Sequence, residues 1–165
     1  MSEIRIRKRH RLREKEVRPL EEEIKERLGI EKLFDAKDAV DRAEAPEFDV
    51  LFVNNEIMGL IYEGKAFLSV RGLLKYPAKK YGITVDMGAV PFVTKGADIM
   101  GPGITDADPQ IVPGDLVWIK DIKNGVPLAV GEALVSAEQM LAKAHGKAIK
   151  NLHHVTDKLW KAGED

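Results

Sequence analysis

Cysteine is missing from the 165-residue chain, which excludes a disulfide framework, a thiolate metal site and a cysteine nucleophile. Aromatic residues make up only 6%, too few for a platform on which many bases stack in a row. No apolar run approaches the roughly 18 residues that a membrane-spanning helix needs. The arginine-rich N-terminus lacks the hydrophobic segment of a secretory signal, so the cytosol is the expected compartment. Catalytic signatures are missing too. There is no phosphate loop ending in Gly-Lys-Ser/Thr, no Gly-x-Gly-x-x-Gly after a strand, and no Gly-x-Ser-x-Gly elbow. The net charge is only −1, so local clusters of charge matter more than the total.

Those clusters are uneven. Residues 1–82 carry 18 Lys+Arg against 16 Asp+Glu, and the remainder carries 8 against 11. The first 18 residues alone hold 8 basic and 3 acidic side chains. From Ile4 to Arg13, Ile4, Ile6 and Leu12 fall on one parity and Arg5, Arg7, Arg9, Arg11 and Arg13 on the other. In an extended strand the arginines would stand roughly 6.5–7 Å apart along one face. That spacing suits a nucleic-acid backbone, and it equally suits an edge strand kept soluble by charge or a disordered tail.

The second concentration is one of backbone freedom. Gly96, Gly101 and Gly103 surround Pro102 within Lys95-Gly-Ala-Asp-Ile-Met-Gly-Pro-Gly-Ile-Thr105, beside the apolar pair Ile99-Met100. Glycine allows positive φ and close approach, and proline stiffens the path. With few ionisable groups nearby, the stretch reads as a docking surface for a polynucleotide end or as a structural turn at a barrel corner.

With 44% apolar residues the chain can build a core, as one ordinary domain or two small ones. Arg18–Leu28 is expected as a helix with Pro19 in its first turn and Gly29 after its end. Leu33-Phe34 is expected in a second short helical piece. Ala39–Ala43, Phe48–Val53 and Ile57–Ile61 read as strands, with turns at Asn54-Asn55 and Glu63-Gly64-Lys65. Val70–Tyr76 reads as a helix, and Lys79-Lys80-Tyr81-Gly82 as a hinge. After it come strand Ile83–Val85, a helix around Ala89–Val93 capped by Asp86, and strands Leu116–Ile119, Leu128–Val135 and Ala148–Leu152. Ser136 and Gln139 have capping-box spacing for a helix through Leu141. The small residues Ala129, Gly131 and Ala133 share a face, which fits a narrow barrel or a closely apposed backbone.

Metal and acid–base candidates are sparse. His153 and His154 are adjacent and point to opposite faces of a strand, which suits packing or hydrogen bonding better than chelation. Asp106 and Asp108 share a face but lie next to Pro109, where acids commonly form turns. Trp118 and Trp160 read as core or barrel-end residues.

From Val85 onward the residues resemble a PUA domain, a small RNA-binding pseudo-barrel. The matching pieces are Val85-Asp-Met-Gly-Ala-Val90, Lys95 to Ile104, Val112-Pro-Gly-Asp-Leu-Val117, Leu128-Ala-Val-Gly-Glu-Ala133 and Gly146-Lys-Ala-Ile149. Asn151-Leu-His-His154 and Asp157-Lys-Leu-Trp160, with Leu73-Leu-Lys-Tyr-Pro77 before them, are similar to the MCT (malignant T-cell-amplified sequence) family of archaeal type. The resemblance implies an α+β chain, with a small N-terminal α+β domain over 1–82 and a PUA pseudo-β-barrel over 83–165. It also implies a non-enzymatic, cofactor-free, translation-associated factor that binds tRNA near its 3′ CCA end or rRNA. The small ribosomal subunit and a SUI1-domain protein of density-regulated-protein type are the implied partners. A PUA targeting subunit of a tRNA- or rRNA-modification complex is the alternative.

By motif, the RNA surface is expected at Lys95, Gly96, Ala97, Met100, Pro102, Gly103, Lys147 and Lys150. Lysines would meet phosphates, exposed amides near the glycines would meet sugar or base edges, and Met100 with Pro102 would give a base an apolar rest. Two or three phosphate contacts give weak, salt-sensitive binding. Arg5, Arg7, Arg9 and Arg11 are therefore expected as a second contact that raises effective concentration.

Overall fold

The structure, a computed structural model, describes residues 3–143 and 145–163. The chain divides into two compact units, Met1–Lys79 with Lys158–Asp165, and Lys80–Asp157. The expected division after residue 82 falls slightly later and leaves the last helix on the other side. Local bonding shows why the change comes at Lys79. Its N–H donates to the Leu28 carbonyl at 2.7 Å, whereas the Tyr81 N–H donates to Asp108 Oδ2 at 2.7 Å.

The first unit is an antiparallel meander with helices. Its elements are β1 (Arg7–Arg11), α1 (Glu14–Leu28), β2 (Val40–Glu44), β3 (Asp49–Val53), β4 (Glu56–Tyr62), β5 (Lys65–Leu68) and α2 (Val70–Lys75). The strands pair in sequence order, β1-β2-β3-β4-β5. Both expected hairpin turns form. Asn54 and Asn55 have φ of 51° and 70°, and Glu63 and Gly64 have 48° and 78°, the left-handed pairs that match strand twist. The outer strand β5 is covered by α1, and Glu23 Oε2 accepts from the Ala66 N–H at 2.7 Å.

Two expectations in this unit need correction. Helix α1 begins at Glu14, more than a turn before Pro19, which lies inside the helix. The earlier start rests on Glu16, whose carboxylate accepts from the Arg13 N–H at 3.0 Å and from Arg13 Nε at 3.1 Å. Proline withdraws one N–H from the ladder there, and the Arg18–Glu14 pair at 2.7 Å supports the preceding turn. Leu33-Phe34 is irregular rather than helical. Its order comes from tertiary contact: the Phe34 N–H donates to Glu21 Oε2 at 2.8 Å and its ring meets Tyr76 edge-on at 6.2 Å.

The second unit holds β6 (Gly82–Val85), α3 (Val90–Val93), β7 (Ile99–Met100), a 3-10 turn (Gly101–Gly103), β8 (Ile104–Ala107), β9 (Leu116–Asp121), β10 (Pro127–Ala133), α4 (Ala137–Leu141) and β11 (Lys147–His154). The sheet order is β7-β11-β10-β9-β6-β8, antiparallel except for β6 with β9. The two edge strands, β7 and β8, are consecutive in sequence and joined only by Gly101–Gly103. Laid flat, six strands would separate the edges by about 24 Å. Four residue steps from Met100 to Ile104 reach at most about 14 Å. The sheet therefore curls into a half-barrel, and the glycine-rich stretch is the seam where its edges come together.

The interior of the curl is a cluster that includes Ile83, Val85, Ile99, Ile104, Val117, Ile119, Ala129, Met140 and Ile149. The expected close approach occurs at Gly131, where a Cβ would lie 2.5 Å from both Ile149 Cγ2 and the Lys150 carbonyl oxygen. Ser136 caps α4 through the Gln139 N–H at 3.2 Å, and Gln139 Oε1 accepts from the Ser136 N–H at 3.0 Å. Trp118 is buried and donates from Nε1 to the Lys80 carbonyl at 2.8 Å. Trp160 sits in α5 (Lys158–Ala162) of the first unit, under the Arg71 guanidinium at 3.9 Å, so it is not a barrel-end residue.

Candidate nucleic-acid interface

The approach to the seam is built from α3. Asp86 Oδ1 accepts from the Ala89 N–H at 2.9 Å and opens the turn, and Thr94 closes it with its hydroxyl on the Val90 carbonyl at 3.1 Å. The chain then doubles back: the N–H groups of Lys95 and Ala97 both donate to the Phe92 carbonyl, at 3.1 and 3.0 Å, and that of Gly96 to Val93 at 3.0 Å. Gly96 has φ of 93°, and a Cβ there would stand 3.0 Å from His154 Nε2. Backbone conformation and the histidine beneath it both demand glycine.

Strand β11 supports this loop from below. Asn151 Nδ2 donates to the Val93 carbonyl at 3.2 Å and to the Ala97 carbonyl at 3.0 Å. The Asn151 N–H donates to Asp98 Oδ1 at 2.9 Å, and Asp98 Oδ2 takes Lys147 Nζ at 3.2 Å. The Asn151 N–H holds the Asp98 carboxyl below its ordinary range, with help from Lys147 and Lys150 and against the effect of burial. Lys147 lies directly opposite Met100 in the β7–β11 pair.

The expected surface residues are thus gathered around one seam, but not all as imagined. Lys95, Ala97, Met100, Pro102, Lys147 and Lys150 are exposed, and Gly96 and Gly103 are half-buried. Neighbouring Gly101 is buried. Four backbone amides of the stretch are committed internally: those of Lys95, Gly96 and Ala97 to the α3 turn, and that of Gly101 to the Gly146 carbonyl at 3.2 Å. The Gly103 carbonyl accepts from the Asp86 N–H at 3.0 Å. Exposed side chains are what the surface there offers instead.

Two such side chains escaped the sequence reading. Phe92 is 65% exposed on α3, and Met87, on the segment tied to Gly103 through Asp86, is 44% exposed, comparable with 47% for Met100. Leaving Phe92 in water forgoes about 1–2 kcal/mol of burial. The available signal was weak: Phe92 follows Pro91 in a four-residue helix, too short for periodicity to reveal which side faces out.

In the first unit the arginines meet acids. The alternation expected from Ile4 to Arg13 breaks at Lys8, which has φ of 54° within a bulge between Arg7 and His10. Arg7 pairs with Glu44 at 3.5 Å, Arg9 with Asp41 at 2.8 Å and Arg11 with the same Asp41. Arg9 also donates to Asn55 Oδ1 at 2.6 Å and lies 3.8 Å over the Phe52 ring. Arg13 is at the start of α1 with Glu16, and Arg5 precedes the strand. A single flat row of arginines does not form.

His153, His154 and Asp108 have structural partners. Buried His153 pairs through Nδ1 with Asp157 Oδ2 at 2.8 Å, and His154 Nδ1 lies 2.8 Å from the Val155 carbonyl. Asp108 shapes a turn by accepting from the Tyr81 and Gln110 N–H groups. Among the described residues no group of three or more His, Asp or Glu is placed to hold a metal ion, and no helix is long and apolar enough to cross a membrane.

Comparison with known proteins agrees with this architecture. The PUA domain model matches residues 81–155. An uncharacterized protein of Methanocaldococcus jannaschii is 36% identical over 156 residues, covering 94% of this chain and 96% of that one. Translation machinery-associated protein 20 of Saccharomyces cerevisiae is 34% identical over 98 residues, 56% of this chain and 54% of its own length. Malignant T-cell-amplified sequence 1 of Rattus norvegicus is 34% identical over 116 residues, 68% of this chain and 64% of its own length. The matches therefore span only about half to under two thirds of these two eukaryotic relatives. A crystal structure of a hypothetical protein from Pyrococcus horikoshii superimposes with a TM-score of 0.82 at 36% identity, covering 94% of this chain and 99% of that one. With near-complete coverage of both archaeal chains and the PUA match over the second unit, this chain belongs to the PUA-domain family of the malignant T-cell-amplified sequence proteins and their archaeal relatives.

Proposed function

We propose that this chain is a non-enzymatic RNA-binding factor of translation that takes the single-stranded 3′ CCA end of tRNA at the barrel seam. The observation that carries the reading is the exposure of Phe92, Met87 and Met100 together with that of the cations Lys95, Lys147 and Lys150, with Lys147 directly opposite Met100. Unstacked bases seek flat or polarizable apolar surface, and lysines meet the phosphates between them. A short terminus suits this site, because only a few apolar residues are available to receive bases. Similarity to the yeast translation machinery-associated protein 20 supports a place in translation. The small ribosomal subunit and a SUI1-domain partner belong to the same proposal, in the cytoplasm.

Titration of intact tRNA and of tRNA lacking its CCA end, at two salt concentrations, tests the reading. Intact tRNA binds more tightly. Three phosphate contacts predict a loss of about fifteen- to twentyfold in affinity between 50 and 200 mM salt. Equal affinity for the two tRNAs would overturn the proposed ligand.

A further inference from the structure

We propose that Asp98 is a built-in competitor for RNA phosphate: its carboxylate occupies Lys147 in the free protein, and an incoming phosphate must displace it. The inference rests on the RNA-binding reading above and deepens it by naming what sets the strength of that site. An acid inside a surface meant for a polyanion calls for a physical account, and the geometry supplies one.

The two members of the pair differ in freedom. Asp98 is held: Oδ1 receives the Asn151 N–H at 2.9 Å, and the Asn151 side chain secures both flanks of the loop at Val93 and Ala97. Its side chain is only 27% exposed, against 65% for Lys147, whose Nζ sits 3.2 Å away at the end of a flexible stem. Any exchange of partners therefore proceeds by Lys147 swinging away while the carboxylate stays in place. Lys147 stands opposite Met100 at the seam, so it is the cation best placed to follow a chain whose base rests there. When Lys147 turns to phosphate, its ion pair with Asp98 is lost, and the carboxylate keeps only the Asn151 N–H and the influence of Lys150. The net gain from that contact is smaller than one free lysine would give, and the number of counterions released falls accordingly.

Asp98→Asn separates the charge from the scaffold, because the amide oxygen still accepts the Asn151 N–H. It is expected to raise tRNA affinity about threefold to fivefold, the range of an exposed ion pair, and to steepen the salt slope by up to about 0.7. In the Lys147→Met background Asp98→Asn should gain clearly less than it does in the wild-type chain, since the competitor has no lysine left to hold and only its general repulsion of phosphate is relieved. A gain as large without Lys147 as with it, or no gain at all while the wild-type chain binds tRNA, overturns the inference and leaves the RNA-binding reading standing. A wild-type chain that binds no RNA sinks both. One arm needs no RNA: carboxyl-carbon NMR of Asp98 should show its titration midpoint moving upward in Lys147→Met, and an unmoved midpoint overturns the pairing directly.

Discussion

The N-terminal strand and the barrel seam both concentrate cations, yet the two regions treat them differently. Along β1 the arginines face acids across the sheet, and Asp41 alone serves two of them. Around the seam the lysines are exposed with uncovered apolar side chains, and Asp98, which pairs with Lys147, sits within the loop itself. Density of positive charge along a sequence is therefore a poor guide to positive surface. What matters is which side chains lie across the ladder, and register decides that. On β1 the ion pairs also suit an exposed edge, which is blunted by charge and by the bulge at Lys8.

The largest expected effects test whether the two regions belong to independently melting units. A Cβ on Gly72 would lie 2.1 Å from the Met58 carbonyl oxygen in the first unit, and one on Gly131 would meet β11 in the second. Gly72→Ala and Gly131→Ala should each cost about 2–3 kcal/mol from overpacking. The two tryptophans report separately, Trp160 on the first unit and Trp118 on the second. In single-tryptophan variants, urea unfolding should shift the Trp160 transition for Gly72→Ala and the Trp118 transition for Gly131→Ala. Coincident shifts of both signals would show that the units unfold together.

The cations themselves come next. Replacing Lys95, Lys147 and Lys150 with Met should weaken tRNA binding about tenfold or more at low salt and nearly flatten its salt dependence. Replacing Arg5, Arg7 and Arg9 with Ser should change the salt slope by less, because Arg7 and Arg9 already have acidic partners. A larger slope change from the arginines would reverse the ranking of the two regions and make the strand the principal phosphate contact.

The smallest effect concerns Asp41. Burial opposes its ionisation, but the hydrogen bonds from Arg11 and Arg9 together outweigh burial and hold its carboxyl below the ordinary value of 3.8. A depressed carboxyl contributes stability above its unfolded value and loses it as pH falls through the folded one. Asp41→Asn should cost about 1 kcal/mol at neutral pH. The gap to wild type should hold down to about pH 5 and close once the pH drops below 3.8. A gap unchanged at pH 3 would show that Asp41 acts through shape rather than charge.

Features set by a few neighbouring residues were readable in advance. The Asn54-Asn55 and Glu63-Gly64 turns, the Ser136–Gln139 cap and the glycine at 131 each follow from local conformation or side-chain volume. Readings failed where a distant partner decided the outcome. Glu21 and Tyr76 order Phe34 without a helix, and the bulge at Lys8 breaks a regular alternation. Phe92 and Met87 could not be told from core residues, since apolar character alone does not say which face of a short turn is covered.

By itself the sequence determined that this chain has no thiol chemistry, a charge-rich start, a glycine-proline stretch and a PUA-like second half, because composition and short-range φ preferences are properties of adjacent residues. Only the tertiary structure made that stretch the seam of a curled sheet, tied the amides of Lys95, Gly96, Ala97 and Gly101 internally, and set Asp98 against Lys147. The reason is geometric. Three residues cannot bridge the edges of a flat six-stranded sheet, so the sheet's curvature, and not the glycines alone, decides what stands at the surface there.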